Sequence, residues 1–178
     1  MLQSIYSQPL NIVILEIIAI VPFWSYLGRH LVNVCKKERF WRLINCLLLM
    51  AAIGMILYAT VLNRDSSQHE VILRPFQSFI DAKEQPEIYR AMLMNVLLFV
   101  PFGLSLPESL PHRCQLSYRV FLTILCGFLF SCGIEFLQYQ YCLGRTETDD
   151  VLCNTLGTAL ASTASIWKVL LARDLPAS

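Results

Sequence analysis

The stretch from Gly133 to Gly157, GIEFLQYQYCLGRTETDDVLCNTLG, gathers most of the side chains in this sequence that could act on a ligand. Glu135 lies near the end of an apolar run. Arg145, Glu147, Asp149 and Asp150 follow it, and Asn154 stands early in the next apolar run. A carboxyl in apolar surroundings can work as a general acid or base, and an arginine can grip a phosphate or carboxylate through paired hydrogen bonds. Glu135 and Asp150 are therefore the candidate catalytic pair. Arg145 is a candidate substrate-binding residue, with Arg74, Asn95, Gln138 and Asn154 beside it. Plainer roles compete with each of these. Glu135 can be a buried carboxyl held by Asn, Gln or Arg for packing. Arg145 can bridge Glu147, Asp149 or Glu135, and Asn95 can fix helix register. For Asp149, capping the N–H groups at the start of its own helix is role enough. The oxygen ligands in view are too few to predict a metal, and no cofactor is expected.

The elements that must position these residues are apolar. Of 178 residues, 56% are hydrophobic and only 15% charged, a membrane-protein balance. The net charge of +1 gives no basic face for nucleic acid. The seven cysteines form no CxxC pair, and with three scattered histidines they offer no zinc site. Most of the cysteines lie in apolar runs and read as buried small hydrophobes; Cys142 and Cys153 flank the polar loop and could pair only if it faces an oxidising compartment.

Runs near or above the spanning length occur at residues 10–27, 41–62, 91–106, 118–141 and 151–171. The expected fold is all-α: a multi-pass transmembrane bundle of about five spans forming a single domain over 1–178, with a long loop between spans 2 and 3. Within that loop, LRPFQSFIDA reads as an interfacial or re-entrant piece contacting apolar surroundings through Leu73, Phe76, Phe79 and Ile80. Pro101 and Gly103 in FVPFG predict a helix kink. The first run lacks the flanks of a cleavable signal peptide and is expected to be a retained anchor.

With five spans, Glu16, Arg74, Asn95, Glu135, Gln138, Arg145, Asp149, Asp150 and Asn154 all fall on or near one face of the membrane. Ser131, Glu135, Gln138 and Cys142 share one stripe of a helix, as do Asp150, Asn154, Gly157 and Ala161. Such stripes face protein or a wet cavity, because lipid would leave them unsatisfied. Gly157, Ala161 and Ser165 form a small-residue row that admits a neighbouring backbone. Lys and Arg concentrate in the connection SYLGRHLVNVCKKERFWR, which the positive-inside rule puts in the cytoplasm. The N-terminus and the polar site are then outside. The opposite halves of the helices look nearly bare of polar residues.

NVLLFVPFG (Asn95–Gly103), IEFLQ (Ile134–Gln138) and GRTETDDVLCNTLG (Gly144–Gly157) together resemble the VanZ-like family. LRPFQSF is similar to an earlier NLIPF-type motif of that family, with Leu73 and Arg74 in place of its asparagine and leucine. The resemblance covers roughly the last two thirds of the chain, with a motif-bearing core over about 70–171. It implies a multi-pass membrane protein linked with low-level resistance to lipid-bearing glycopeptides of the teicoplanin type. Mapped here, its motif positions include Asn95, Pro101, Gly103, Glu135, Gln138, Arg145, Asp150, Asn154 and Gly157.

Two functions stay open. One is a non-catalytic protein that binds or screens an envelope lipid or lipid-linked component. The other is an enzyme in which Glu135 and Asp150 act on a lipid or lipid-linked phosphate or glycan held by Arg145. A transporter is the weaker class, since a pathway needs polar residues in both halves of the membrane.

Overall fold

The computed structural model describes residues 10–34, 37–64, 70–111 and 113–173. Helix α1 (Leu10–Arg29) runs into a π turn at His30–Val34, and α2 (Glu38–Leu57) into another at Tyr58–Leu62. Strand β1 (Glu70–Ile72) and the short helix α3 (Gln77–Asp81) follow. Then come α4 (Pro86–Ser109), α5 (Leu116–Tyr141), strand β2 (Arg145–Glu147) and α6 (Thr148–Arg173).

This is an all-α, multi-pass membrane bundle. Three of its helices are long and apolar enough to cross a bilayer: Glu38–Leu62, Glu87–Ser109 and Leu116–Tyr141. The 26-residue α6 is equally long but carries Asn154, Thr158, Ser162 and Ser165, all buried. Its polar side chains face the bundle, which lowers its hydropathy without exposing them to lipid. The outward surface is apolar instead, as at Leu47, Met50, Phe121, Leu129 and Phe136. Polar residues inside and large apolar ones outside invert the arrangement of a water-soluble bundle.

Helix α4 extends beyond the apolar run at 91–106 in both directions. Pro86 suits its first turn, where no N–H donor is needed. Pro101 and Pro107 lie inside an otherwise continuous helix. Ser105 Oγ donates to the Pro101 carbonyl at 2.7 Å, a local back-bond that accompanies the proline.

The long connection after α2 contains structure that its sequence does not announce. β1 pairs in parallel with β2, with Glu70 opposite Arg145, Val71 opposite Thr146 and Ile72 opposite Glu147. α5 ends in a turn with Cys142 at φ 53° and Gly144 at φ 100°. There the Leu143 N–H returns to the Gln138 carbonyl at 3.0 Å. This turn reverses the chain into β2 and then directly into α6.

The core is built around α4. Phe99 and Phe102 pack with Ile56 of α2 and Ile134 of α5, while Val100 and Leu104 pack with Ala161 and Ala164 of α6. The small-residue row of α6 meets α4: a Cβ on Gly157 would stand 2.1 Å from the Val96 carbonyl oxygen. Reciprocally, a Cβ on Gly103 would stand 2.5 Å from the Thr158 carbonyl oxygen. Both contacts are with backbone, so no rotamer change relieves them. Gly157→Ala is expected to force the helices apart and cost about 1–3 kcal/mol, the usual range for overpacking. Gly133 has open space around it, so Gly133→Ala should leave the melting temperature unchanged or slightly raised. Thermal unfolding of both variants in one detergent checks the pair. An equally stable Gly157→Ala would show that the two backbones are not in contact.

Candidate functional site

The polar residues of α4, α5 and α6 converge at the end of the bundle where β1, β2 and α3 lie. Glu135, 7% exposed, accepts the Glu147 N–H at 3.0 Å through Oε2. Asp150 Oδ1 accepts from Asn95 Nδ2 at 2.6 Å. Asn154 Nδ2 donates to Ser131 Oγ at 2.8 Å, which joins the two polar stripes of α5 and α6. Gln138 Nε2 donates to the Thr60 carbonyl at 2.9 Å and so ties α5 to the π turn after α2. The α5 stripe is buried at Ser131, Glu135 and Gln138, and Ser131 is its hydrogen bond to α6. Cys142 departs from it: α5 has ended there, in a left-handed turn, and its side chain is exposed.

Asp149 has a different partner from the one expected. It does not simply cap its own helix: its carboxylate reaches across to α3, where Oδ1 accepts the Phe76 N–H at 2.6 Å and Oδ2 the Ser78 N–H at 2.8 Å. These are orphan donors at the start of α3, and no side chain within α3 caps them. Asp149 is 2% exposed. Its sequence position at the head of α6 suggested a cap, but nothing local indicated that the capped helix would lie some 70 residues away.

Arg145 takes the bridging role to Glu147, with Nε at 3.0 Å from Oε1, and adds Glu70 of β1 at 3.2 Å. Glu147 also accepts from Ser78 Oγ at 2.8 Å. Glu70 and Ser78 are site residues that sequence reasoning missed. Glu70 opposes Arg145 in the strand register, and that register arises only from the long-range pairing.

Arg74 and Arg145 line an open groove of about 520 Å³ together with Glu70, Leu73, Gln77 and Asp81. Glu135, Asp150, Asn95, Gln138 and Asn154 do not line it. The site thus has two layers, a groove with charged walls and a buried to half-buried set of acids and amides that holds its elements together. Leu73, Phe76, Phe79 and Ile80 are all exposed around α3. Phe76 stands at φ 66°, a left-handed conformation costly for a residue with a Cβ. The side chain of Glu16 lies outside the described residues.

Asp150 precedes the apolar run 151–171. Burial, with the charge of Glu147 second, pushes its carboxyl up to about 6. Among the described residues, no group of three or more His, Cys, Asp or Glu side chains is arranged to hold a metal ion. Cys142 and Cys153 are both free thiols; Cys153 is buried against Met92 and Val96, away from any pairing.

The other end of the bundle is not bare, contrary to the reading of the sequence. Glu108 of α4 is 2% exposed and accepts from Trp41 Nε1 at 2.8 Å, Ser165 Oγ at 2.7 Å and Lys168 Nζ. Arg119 of α5 stands 3.7 Å from the same carboxylate and donates through Nε to the Pro107 carbonyl at 2.8 Å. Lys168 and Arg119 lie near the ends of apolar runs, yet their side chains point into the protein. A signal was present: Glu108 ends one apolar run and Lys168 interrupts another, and ionisable groups so placed need partners.

A family profile described as VanZ/LLP1 matches residues 43–170. Protein VanZ of Enterococcus faecium is 33% identical over 69 residues, which is 39% of this chain and 40% of that protein. The aligned part thus spans well under half the length of this curated relative. No solved structure matches the chain significantly.

Two measurements test the geometry. Asp149→Asn supplies one acceptor and one donor where two N–H groups need acceptors. Loss of a buried charge-assisted bond costs about 1–3 kcal/mol, so hydrogen exchange at the Phe76 and Ser78 amides should quicken roughly 10- to 100-fold. Unchanged exchange would break the link between α6 and α3. Asp150 provides a pH test. Its folded value lies above the ordinary 3.8, so the folded state binds the proton more tightly than the unfolded state. Its ionisation therefore removes stability as pH rises from near 4 through about 6. The stability of Asp150→Asn relative to wild type should rise across that window and level off above it; a difference independent of pH would refute the shift.

Proposed function

The chain belongs to the VanZ/LLP1 family, and we propose that its polar site lies at the outer membrane face and holds an envelope lipid or lipid-linked component. By occupying that component the protein would lower susceptibility to teicoplanin-type glycopeptides. The observation that carries this reading is the placement of the groove. Its arginines, Arg74 and Arg145, share the groove with exposed Leu73, and the exposed Phe76, Phe79 and Ile80 follow in the same segment of chain. A ligand with a charged head and a hydrocarbon tail meets both. The outward orientation is supported by Lys37, Arg39 and Arg42 at the start of α2, at the other end of the bundle.

The buried acids favour binding over catalysis. Asp149 spends both oxygens on backbone N–H groups, Glu135 holds the Glu147 N–H, and Asp150 holds Asn95. Groups so engaged shape the site without facing a substrate. The second reading, a membrane enzyme, is favoured by the two carboxyls that flank the Arg145 loop in the chain, buried Glu135 and half-buried Asp150. In that reading Glu135 and Asp150 would exchange protons with a lipid or lipid-linked phosphate or glycan.

Native mass spectrometry of the purified protein separates the two, beside glycopeptide susceptibility of cells producing each variant. Arg145→Ala should lose a defined lipid or lipid-linked ligand that wild type retains, and the cells should become more susceptible. Glu135→Gln keeps an acceptor for the Glu147 N–H and should retain the ligand. If wild type alters the mass of its bound molecule and Glu135→Gln does not, the enzyme reading replaces the binding one. Identical, nonspecific lipid profiles in all three proteins would remove both.

A further inference from the structure

We propose that the groove takes the head group of a phospholipid carrying a primary amine, its phosphate against Arg74 and Arg145 and its ammonium against Asp81 and Glu70. The inference rests on the binding reading above and names the ligand class.

The walls of the groove are charge-balanced. Two arginines and two carboxylates line it around Gln77. A purely anionic head group would meet both acids as well as both cations, whereas a zwitterion satisfies each sign separately. The side chains are also held in place. Arg145 is fixed by Glu147 from within the site and by Glu70 from the opposing strand. Gln77 Nε2 donates to Asp81 Oδ1 at 2.8 Å, which orients that carboxylate while leaving its other oxygen to accept an ammonium. A volume of about 520 Å³ lies in the range of ligand-sized clefts.

The source is the bilayer, because of what surrounds the groove. Only a short turn separates α3 from Glu87, where an apolar span begins, so α3 sits at the level of the membrane interface. Leu73 (72% exposed), Phe76 (61%) and Ile80 (60%) stand out from this segment. Phe76 is kept in its left-handed conformation by the bond from its N–H to Asp149. Strain held by a buried carboxylate, with the ring left outside and 6.0 Å from that of Phe79, suits a side chain meant for the acyl boundary. A lipid can then enter sideways, head group first into the groove, without leaving the membrane.

The test compares wild type, Arg74→Ala and Asp81→Asn in nanodiscs of equal parts phosphatidylethanolamine, phosphatidylglycerol and phosphatidylcholine, with native mass spectrometry of retained lipid. Arg74 and Asp81 lie on the groove, so thermal unfolding should be unchanged in both variants. Wild type is expected to retain the ethanolamine lipid about tenfold over the glycerol lipid, the discrimination of one charge-assisted contact. Asp81→Asn should erase that preference while still retaining phosphate lipids, and Arg74→Ala should weaken retention of all three. Equal retention of the three lipids by wild type, or a preference that survives Asp81→Asn, overturns the inference. Glycopeptide susceptibility of the same variants keeps the two ideas apart. Amine preference with unchanged susceptibility in Arg74→Ala sinks the functional reading and leaves the head-group assignment standing. Altered susceptibility without any amine preference does the reverse.

Discussion

At Gly157 the backbone of α6 lies on the Val96 carbonyl of α4, and at Gly103 the backbone of α4 lies on the Thr158 carbonyl of α6. Lipid tails are as apolar as leucine, so burial of apolar area gives helices in a bilayer little reason to associate. Close backbone packing supplies it instead, through many small dispersion contacts. Asn95 is the residue before Val96, so the same approach that seats Gly157 also sets the 2.6 Å bond from Asn95 to Asp150. The distance between these two helices thus determines whether the buried acids have partners. The groove in turn depends on those acids, since Glu147 and Asp149 hold Arg145 and α3.

Two buried carboxylates serve as acceptors for donors that secondary structure leaves over. Glu135 takes an N–H of the β2 strand, and Asp149 takes two from the start of a five-residue helix. Such a short helix has little stability of its own. Its position derives from α6, a long element packed along its whole length against α4 and α5. Rigid helices thereby place a loop-borne groove, and the precision of the loop is borrowed from the bundle.

Much of this was legible in the residues. The Ser131–Glu135–Gln138 stripe and the Asn154–Gly157–Ala161 stripe follow from helical periodicity and from the cost of showing polar groups to lipid. The opening at LRPFQSFIDA was also readable as an apolar surface segment, and its Leu73, Phe76, Phe79 and Ile80 are exposed. What could not be read depends on long-range pairing. Strands of three residues carry too little alternation to be recognised. The Glu70–Arg145 register and the reach of Asp149 to α3 exist only once distant segments meet. Glu108 differs: it and Lys168 each signalled the need for a partner, but 60 residues separate them and nothing local in LPESLP pairs the two.

The Glu108 cluster bears on how the chain is made. Its carboxylate joins α4 to side chains of three other helices, and Lys168 follows it by 60 residues. At a synthesis rate of ~5–20 residues per second, that interval lasts roughly 3–12 s. Trp41 is already present when Glu108 emerges and Arg119 follows soon after, but the ammonium and the Ser165 hydroxyl come with α6. Until then an acid near the membrane lacks its main counter-charge, and α4 also lacks the backbone it is shaped to receive at Gly103. The last helix thus supplies the counter-charge at one end of the bundle and Asn154 and Asp150 at the other, so the packing of the bundle and the shape of the site depend on the same element.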